Sequence, residues 1–334
     1  MAHRSFGPGL DGILVVDKPI GPTSHDVVAL VRRLAATKRV GHGGTLDPFA
    51  SGVLPIFLGR ATRVVEFHLA GRKAYRATVC FGASSATDDL EGERTPAAGP
   101  APDRAAVEAA LAGLTGTIRQ RPPAYSAIKV GGRRAYALAR AGETVSLTER
   151  EVTVDELRLV SWDGTEPDRP TTELEVVCSA GTYIRSLARD LGERVGSAAY
   201  LGALRRTAAG SFREDEALQL DRVREAAAEG PPGLVRLLLP VDAGLDRFPE
   251  VPLNANEAAA VSRGQFVRPT SGFPAGAERY RLRTSDGALA AIAVEAGPGR
   301  LSPDKVLLSP DGPVGDPDAG PAEVELSEKM SIDS

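Results

Sequence analysis

Cysteine is nearly absent. Cys80 and Cys178 are the only two in 334 residues, too few for a disulfide framework, and both lie in apolar runs that read as strands, so reduced, buried thiols are expected. The four histidines (His3, His25, His42, His68) form no H-E-x-x-H pattern and no Cys-x-x-Cys occurs, so no metal centre is expected. The glycine-rich loop at 41–52 is followed by no Gly-Lys-Ser/Thr, and a dinucleotide fingerprint is missing. No cofactor is therefore expected. No run approaches the ~18 consecutive apolar residues of a membrane span. The opening MAHRSFGPGLDG lacks the apolar run of a signal peptide, and a cytoplasmic protein with no membrane partner is expected.

Hydrophobic residues make up 42% of the chain and charged residues 25%, an ordinary globular composition with enough chain for a substantial core. The net charge of −4 argues against nucleic acid only if read as one number. Residues 311–334 hold seven acids and one base, so this tail carries −6 and the rest of the chain +2. Residues 1–75 hold ten bases against five acids, and 119–142 hold six bases (Arg119, Arg121, Lys129, Arg133, Arg134, Arg140) and no acid. Local basic surfaces make a polyanion footprint, although such runs are also common on solvated faces.

Along the chain, GILVVDKP (12–19) reads as a strand. Ser24 is placed to cap a helix over HDVVALVRRLAA, with Val27, Val31 and Leu34 on one face. VLPIFLG reads as a buried strand, and KAYRATVCFG (73–82) as a strand with Tyr75, Ala77, Val79 and Phe81 on one face. Residues 83–104 read as a polar, acidic surface loop, followed by a helix at about 103–112. VTVDELRLV and ELEVVCSAG read as strands and YIRSLARDLGERVG as a helix, and a charged, Ala-rich stretch follows to about 230. A capped short helix, a hairpin turning at Ser-Asp-Gly and a strand KVLL suggest a β-rich module at 248–310. The tail 311–334 reads as acidic and disordered. The fold class is α+β, a mixed-sheet catalytic body with a small β-rich appendage.

Three groups of residues could carry chemistry. Asp47 stands in GHGGTLDP, a loop whose glycines let backbone approach a ligand; an Asp-Pro step also simply starts turns. Arg185 follows GTY at the start of an amphipathic helix. It could pair with Asp190 or Glu193 on the surface, or hold a buried carboxylate ionised. Tyr75 and Tyr183 sit at a strand end and a helix start, where a ring could pack in the core or stack on a planar base.

LVVDKPIGPTSHDVV, GHGGTLDPFASGVLPI, KAYRATVCFG, RPPAYSAIKVGGRRAYALARAGE and CSAGTYIRSLARDLGE, ending in LGALRRTAAG, resemble the TruB family of bacterial tRNA pseudouridine-55 synthases. The resemblance covers about residues 12–215. It implies a pseudouridine synthase catalytic domain over 1–247, with 119–142 as a mobile RNA-clamping insertion that includes Lys129, Arg133 and Arg134. A PUA-like RNA-binding domain is implied at 248–310. By the same resemblance Asp47 is the catalytic aspartate and Arg185 its charge partner. Tyr75 and Tyr183 line the base pocket with Leu204, Tyr75 is placed to move a proton late in the reaction, and His42 enters the T loop beside the extruded nucleotide. Lys18 and Pro19 match a structurally supporting pair. The implied partner is the T arm of tRNA, with no obligate protein partner and a monomeric enzyme. A non-catalytic tRNA-folding protein and an RNA-guided synthase working in a complex remain as alternatives.

Overall fold

The structure, a computed structural model, describes residues 10–126, 129–130, 133–134, 138 and 147–308. The acidic tail and much of the 119–142 insertion lie outside the described residues. The chain divides into two compact units, one over Leu10–Arg247 and one beginning at Phe248.

The first unit is built on a ten-stranded mixed sheet. In chain order its main elements are β1 (Gly12–Lys18), α1 (Ser24–Leu34), β2 (Val40–His42), β3 (Ser51–Leu58), β4 (Lys73–Phe81), α2 (Arg104–Leu111), β5 (Gly116–Gln120), β6 (Arg150–Asp163), β7 (Thr171–Cys178), α3 (Ile184–Arg194), β8 (Ala199–Ala209) and β9 (Leu218–Gln219). The strand order is β9-β1-β3-β8-β4-β7-β6-β5. β3 reads as a continuous apolar run because seven of its eight residues are buried, as a strand covered on both faces requires. One core cluster gathers Leu46, Phe49, Ala77, Val79 and Phe81 with Val107, Ile184, Leu187, Leu191 and Leu204. A second packs Val27, Val28 and Val31 of α1 on Leu14, Val16, Leu54 and Ile56.

Four readings change. Thr23, not Ser24, caps α1, in a capping box with Asp26. Ser24 is instead buried and exchanges hydrogen bonds with the Leu46 backbone at 2.8 and 3.0 Å, tying the helix to the Asp47 loop. The loop after β4 is not all surface, because Asp89 is only 3% exposed. Cys80 is half-buried while Cys178 is buried. Finally, β8 lies mid-sheet, antiparallel to β4 and parallel to β3. Its apolar alternation is broken by a bulge at Gly202, where a Cβ would lie 2.5 Å from Cys80 Sγ, and by Arg205 and Arg206.

The second unit is a four-stranded sheet of β10 (Glu250–Pro252), β11 (Tyr280–Arg283), β12 (Leu289–Glu295) and β13 (Leu301–Val306), with the helix α4 (Ala255–Ser262). Asn254 caps α4 in a capping box with Glu257. The hairpin closes through Gly287 N to Thr284 O. The last strand begins at Leu301, upstream of the KVLL run, which supplies only its end.

Candidate active site

The parallel β3–β8 pair and the antiparallel β8–β4 pair bring three chain segments together. Arg206 on β8 is the Cα partner of Gly52 on one side and Tyr75 on the other. The irregular segment between β2 and β3 carries Asp47 over this junction. Gly44 (φ +119°) and Gly52 (φ +105°) take its sharp bends. At Gly52 a Cβ would lie 2.2 Å from Arg206 O, so no larger residue fits.

Asp47 and Arg185 meet. Arg185 Nε lies 3.1 Å from Asp47 Oδ2, and Nη2 reaches Oδ1 at 3.5 Å. The Nε contact is an ion pair off the hydrogen-bond axis, since that N–H finds no acceptor in line. Arg185 is 6% exposed, and the rest of its fork is fixed. Nη1 donates to Thr87 O at 3.1 Å and Asp89 Oδ2 at 3.2 Å, and Nη2 to Tyr125 O at 2.9 Å. Asp89 is itself held by Thr87 Oγ1 and Glu91 N. The surface alternative for Arg185 fails because Arg189 takes Asp190, along with Asp88. Burial lifts the Asp47 carboxyl above its usual range and Asp89 adds to that, while Arg185 and Lys18 pull it down.

The start of α3 has no side-chain cap of its own. The fully buried Gln120 grips it instead, accepting from Tyr183 N at 2.8 Å and donating to Tyr183 O at 3.0 Å. Tyr183 is half-buried, and the Arg150 guanidinium lies 4.8 Å from its ring centre. Tyr75 packs on the core cluster that includes Leu204. Burial raises its phenol pKa; the charge and hydrogen bonding of Arg206 oppose this, while Cys178 and Asp47 add to it. His42 Nδ1 accepts from Gly44 N at 3.3 Å, and its ring meets His25 edge-on at 5.4 Å. Burial lowers its pKa, with His25 and Arg206 acting the same way, so the ring is neutral at pH 7. Lys18 is fully buried and donates to Pro19 O, Pro48 O and Ala50 O at 2.9, 3.3 and 2.7 Å. Its pKa falls to about 8, mainly through burial.

Asp47, Arg185, Tyr75 and Leu204 thus share one region, with His42 at the end of β2, where the Asp47 loop begins. Lys129–Val130 pairs with Arg133–Arg134 as a short hairpin in which Arg133 is exposed. Sequence reading missed Asp89, Gln120 and Arg206. The Arg205-Arg206 pair, one of which must face inward on a strand, was the available signal for Arg206. A cavity of about 840 Å³ lined by Cys80, Arg94, Asp168 and Tyr200 lies toward the other end of β4 and includes none of the expected site residues.

Residues 32–184 match the TruB family pseudouridylate synthase N-terminal domain, and residues 185–246 the tRNA pseudouridylate synthase B C-terminal domain. The chain belongs to the TruB family of pseudouridylate synthases. It is 48% identical to the tRNA pseudouridine synthase B of Thermobifida fusca over 266 residues, covering 78% of this chain and 87% of that protein. Against the Bradyrhizobium diazoefficiens protein of the same name it is 44% identical over 299 residues, covering 89% and 85%. Among solved structures, a chain of a Cbf5–Nop10–Gar1 complex superposes with a TM-score of 0.68 at 25% identity, covering 90% of this chain and 86% of that one. A chain of an H/ACA RNP bound to a substrate RNA containing 2'-deoxyuridine superposes at 0.67 and 24% identity, with the same coverage, and supports the fold alone. The α+β class and the pseudouridine synthase fold agree with the sequence reading.

Proposed function

We propose that this TruB-family chain converts uridine 55 in the T loop of tRNA to pseudouridine, acting alone in the cytoplasm. The observation that carries the reading is the Asp47 carboxylate, 35% exposed, paired at 3.1 Å with a buried guanidinium that Asp89 also holds. Burial favours the protonated form of this acid, and Arg185 opposes it by favouring the ionised form. A nucleophile needs that form.

In the reaction the N1–C1′ bond of the nucleotide breaks, a C5–C1′ bond forms, the C5 hydrogen leaves as a proton and N1 gains a proton. Asp47 attacks either the base or the anomeric carbon. The uridine must first leave its stack, which costs a few kcal/mol. Stacking on Tyr75 and Tyr183 returns ~1–3 kcal/mol per base, while His42 fills the vacated space. Neutral His42 suits that role, since it enters the RNA as a flat, uncharged ring. Leu204 lines the pocket and Tyr75 moves a proton late in the reaction. Lys129, Arg133 and Arg134 hold phosphates without reading sequence, and the second unit adds a PUA-like RNA contact.

The test is pseudouridine mapping in a bare tRNA transcript incubated with the purified protein alone, with tritium release from 5-³H-uridine tRNA as the rate assay. Pseudouridine at position 55 is the expected product. Binding without tritium release would favour a tRNA-folding role, and activity only with added protein or guide RNA would favour the guided alternative.

A further inference from the structure

We propose that Arg206 is a positioning residue of this site, whose guanidinium sets the backbone carrying Asp47 and the Tyr75 hydroxyl in one frame. The inference rests on the pseudouridine synthase reading and deepens it. Arg206 is 1% exposed, at the middle of the sheet, where an apolar side chain would cost far less to bury. Its fork is spent on backbone. Nε donates to Val53 O at 2.7 Å, Nη2 to Gly44 O at 3.1 Å and Nη1 to Thr45 O at 3.3 Å. The last two carbonyls belong to the segment that leads to Asp47, and Val53 lies in β3, the strand that follows it.

Among the described residues Arg206 bonds no carboxylate, whereas Arg185, the other buried arginine here, contacts two. An arginine does not shed its proton in a protein. The carbonyl dipoles compensate the charge only in part, and the guanidinium also hydrogen-bonds and attracts the hydroxyl of Tyr75, its cross-strand partner. The charged and titratable groups facing that hydroxyl are Arg206, Cys178 and Asp47. Of these, Arg206 alone favours the phenolate. Lys18 makes a contrast, because its single nitrogen grips the loop only downstream of Asp47, at Pro48 and Ala50. Only a planar fork reaches Gly44, Thr45 and Val53 together.

The full-length protein, with Arg206→Lys and Arg206→Gln, tests this through tRNA affinity, single-turnover pseudouridine formation and a ¹⁹F titration of 3-fluorotyrosine placed at position 75. For Arg206→Lys we expect tRNA affinity within about threefold of wild type and a single-turnover rate down by about 10²-fold, as displacement of a reacting group by about 1 Å produces. The Tyr75 midpoint should rise in Arg206→Gln and stay near wild type in Arg206→Lys, which keeps the charge. Affinity and rate falling in parallel, or a midpoint unmoved by Arg206→Gln, would overturn the proposal. If Arg206→Gln does not fold, the split between rate and affinity in Arg206→Lys decides. A wild-type protein that makes no pseudouridine would instead refute the functional reading, and the titration would then answer for Arg206 by itself.

Discussion

Asp47→Asn removes the charge at the centre of the site while keeping its shape, and it should abolish turnover and stabilise the fold. Burial lifts the Asp47 pKa, and the attraction of Arg185 and Lys18 does not bring it back. A carboxyl with a folded pKa above its unfolded value holds its proton more tightly in the fold, so the ionised form opposes folding. The penalty begins above the unfolded value of about 4 and is complete once the folded pKa is passed. The side chain is 35% exposed, so solvent screens part of this. The gain at pH 7 is then small and is read as a modest rise in Tm. It should shrink as pH falls toward about 4, where wild-type Asp47 is protonated as well. The amide oxygen of the variant can still accept from Arg185 Nη2, so tRNA binding should persist. Thermal melts at neutral and acid pH and tritium release are the measurements. A lower Tm for Asp47→Asn at pH 7 would mean that the Arg185 pair outweighs burial, and measurable turnover would remove Asp47 from the nucleophile's role.

Arg185→Ala leaves buried Asp89 without its cation and beside the half-buried carboxylate of Asp47, so chemical denaturation should show a loss of ~3–5 kcal/mol, with activity falling more than tRNA affinity; a wild-type rate would contradict this. Gly52→Ala forces a β-carbon to 2.2 Å from Arg206 O at φ +105°, a strained position expected to cost ~1–3 kcal/mol or more in an unfolding titration. Binding to tRNA through the basic surfaces should weaken steeply and linearly on a log–log salt plot, and a flat response in filter binding would reject those surfaces as the grip.

The elements with clean periodicity were legible. Ile184, Leu187 and Leu191 of α3 bury the stripe that their spacing announces, and Ala77, Val79 and Phe81 fill one face of β4. What failed was the middle of the sheet. β8 carries a bulge at Gly202 that resets the alternation and an arginine where an apolar residue belongs, so its residues read as part of a charged, Ala-rich stretch. Asp89 was hidden in the same way: an acidic doublet in a polar loop signals solvent, and only the fold reveals that Arg185 draws one of the pair inside. The meeting of Asp47 and Arg185, 138 residues apart, is beyond any local pattern and came from the resemblance alone.

The buried cations share one cause. The Asp47 segment is irregular and partly buried, so its carbonyls have no ladder partners and still need donors. Arg206 takes Gly44 and Thr45 before the aspartate, and Lys18 takes Pro48 and Ala50 after it. A regular strand here would have satisfied these carbonyls without charge, but alternation would then have fixed the direction of the Asp47 side chain by strand register rather than by the needs of a substrate. Replacing backbone ladder bonds with two buried cations frees the carboxylate to point at Arg185, and the positive charge that Lys18 brings with its donors acts on Asp47 itself, favouring the ionised form that burial opposes.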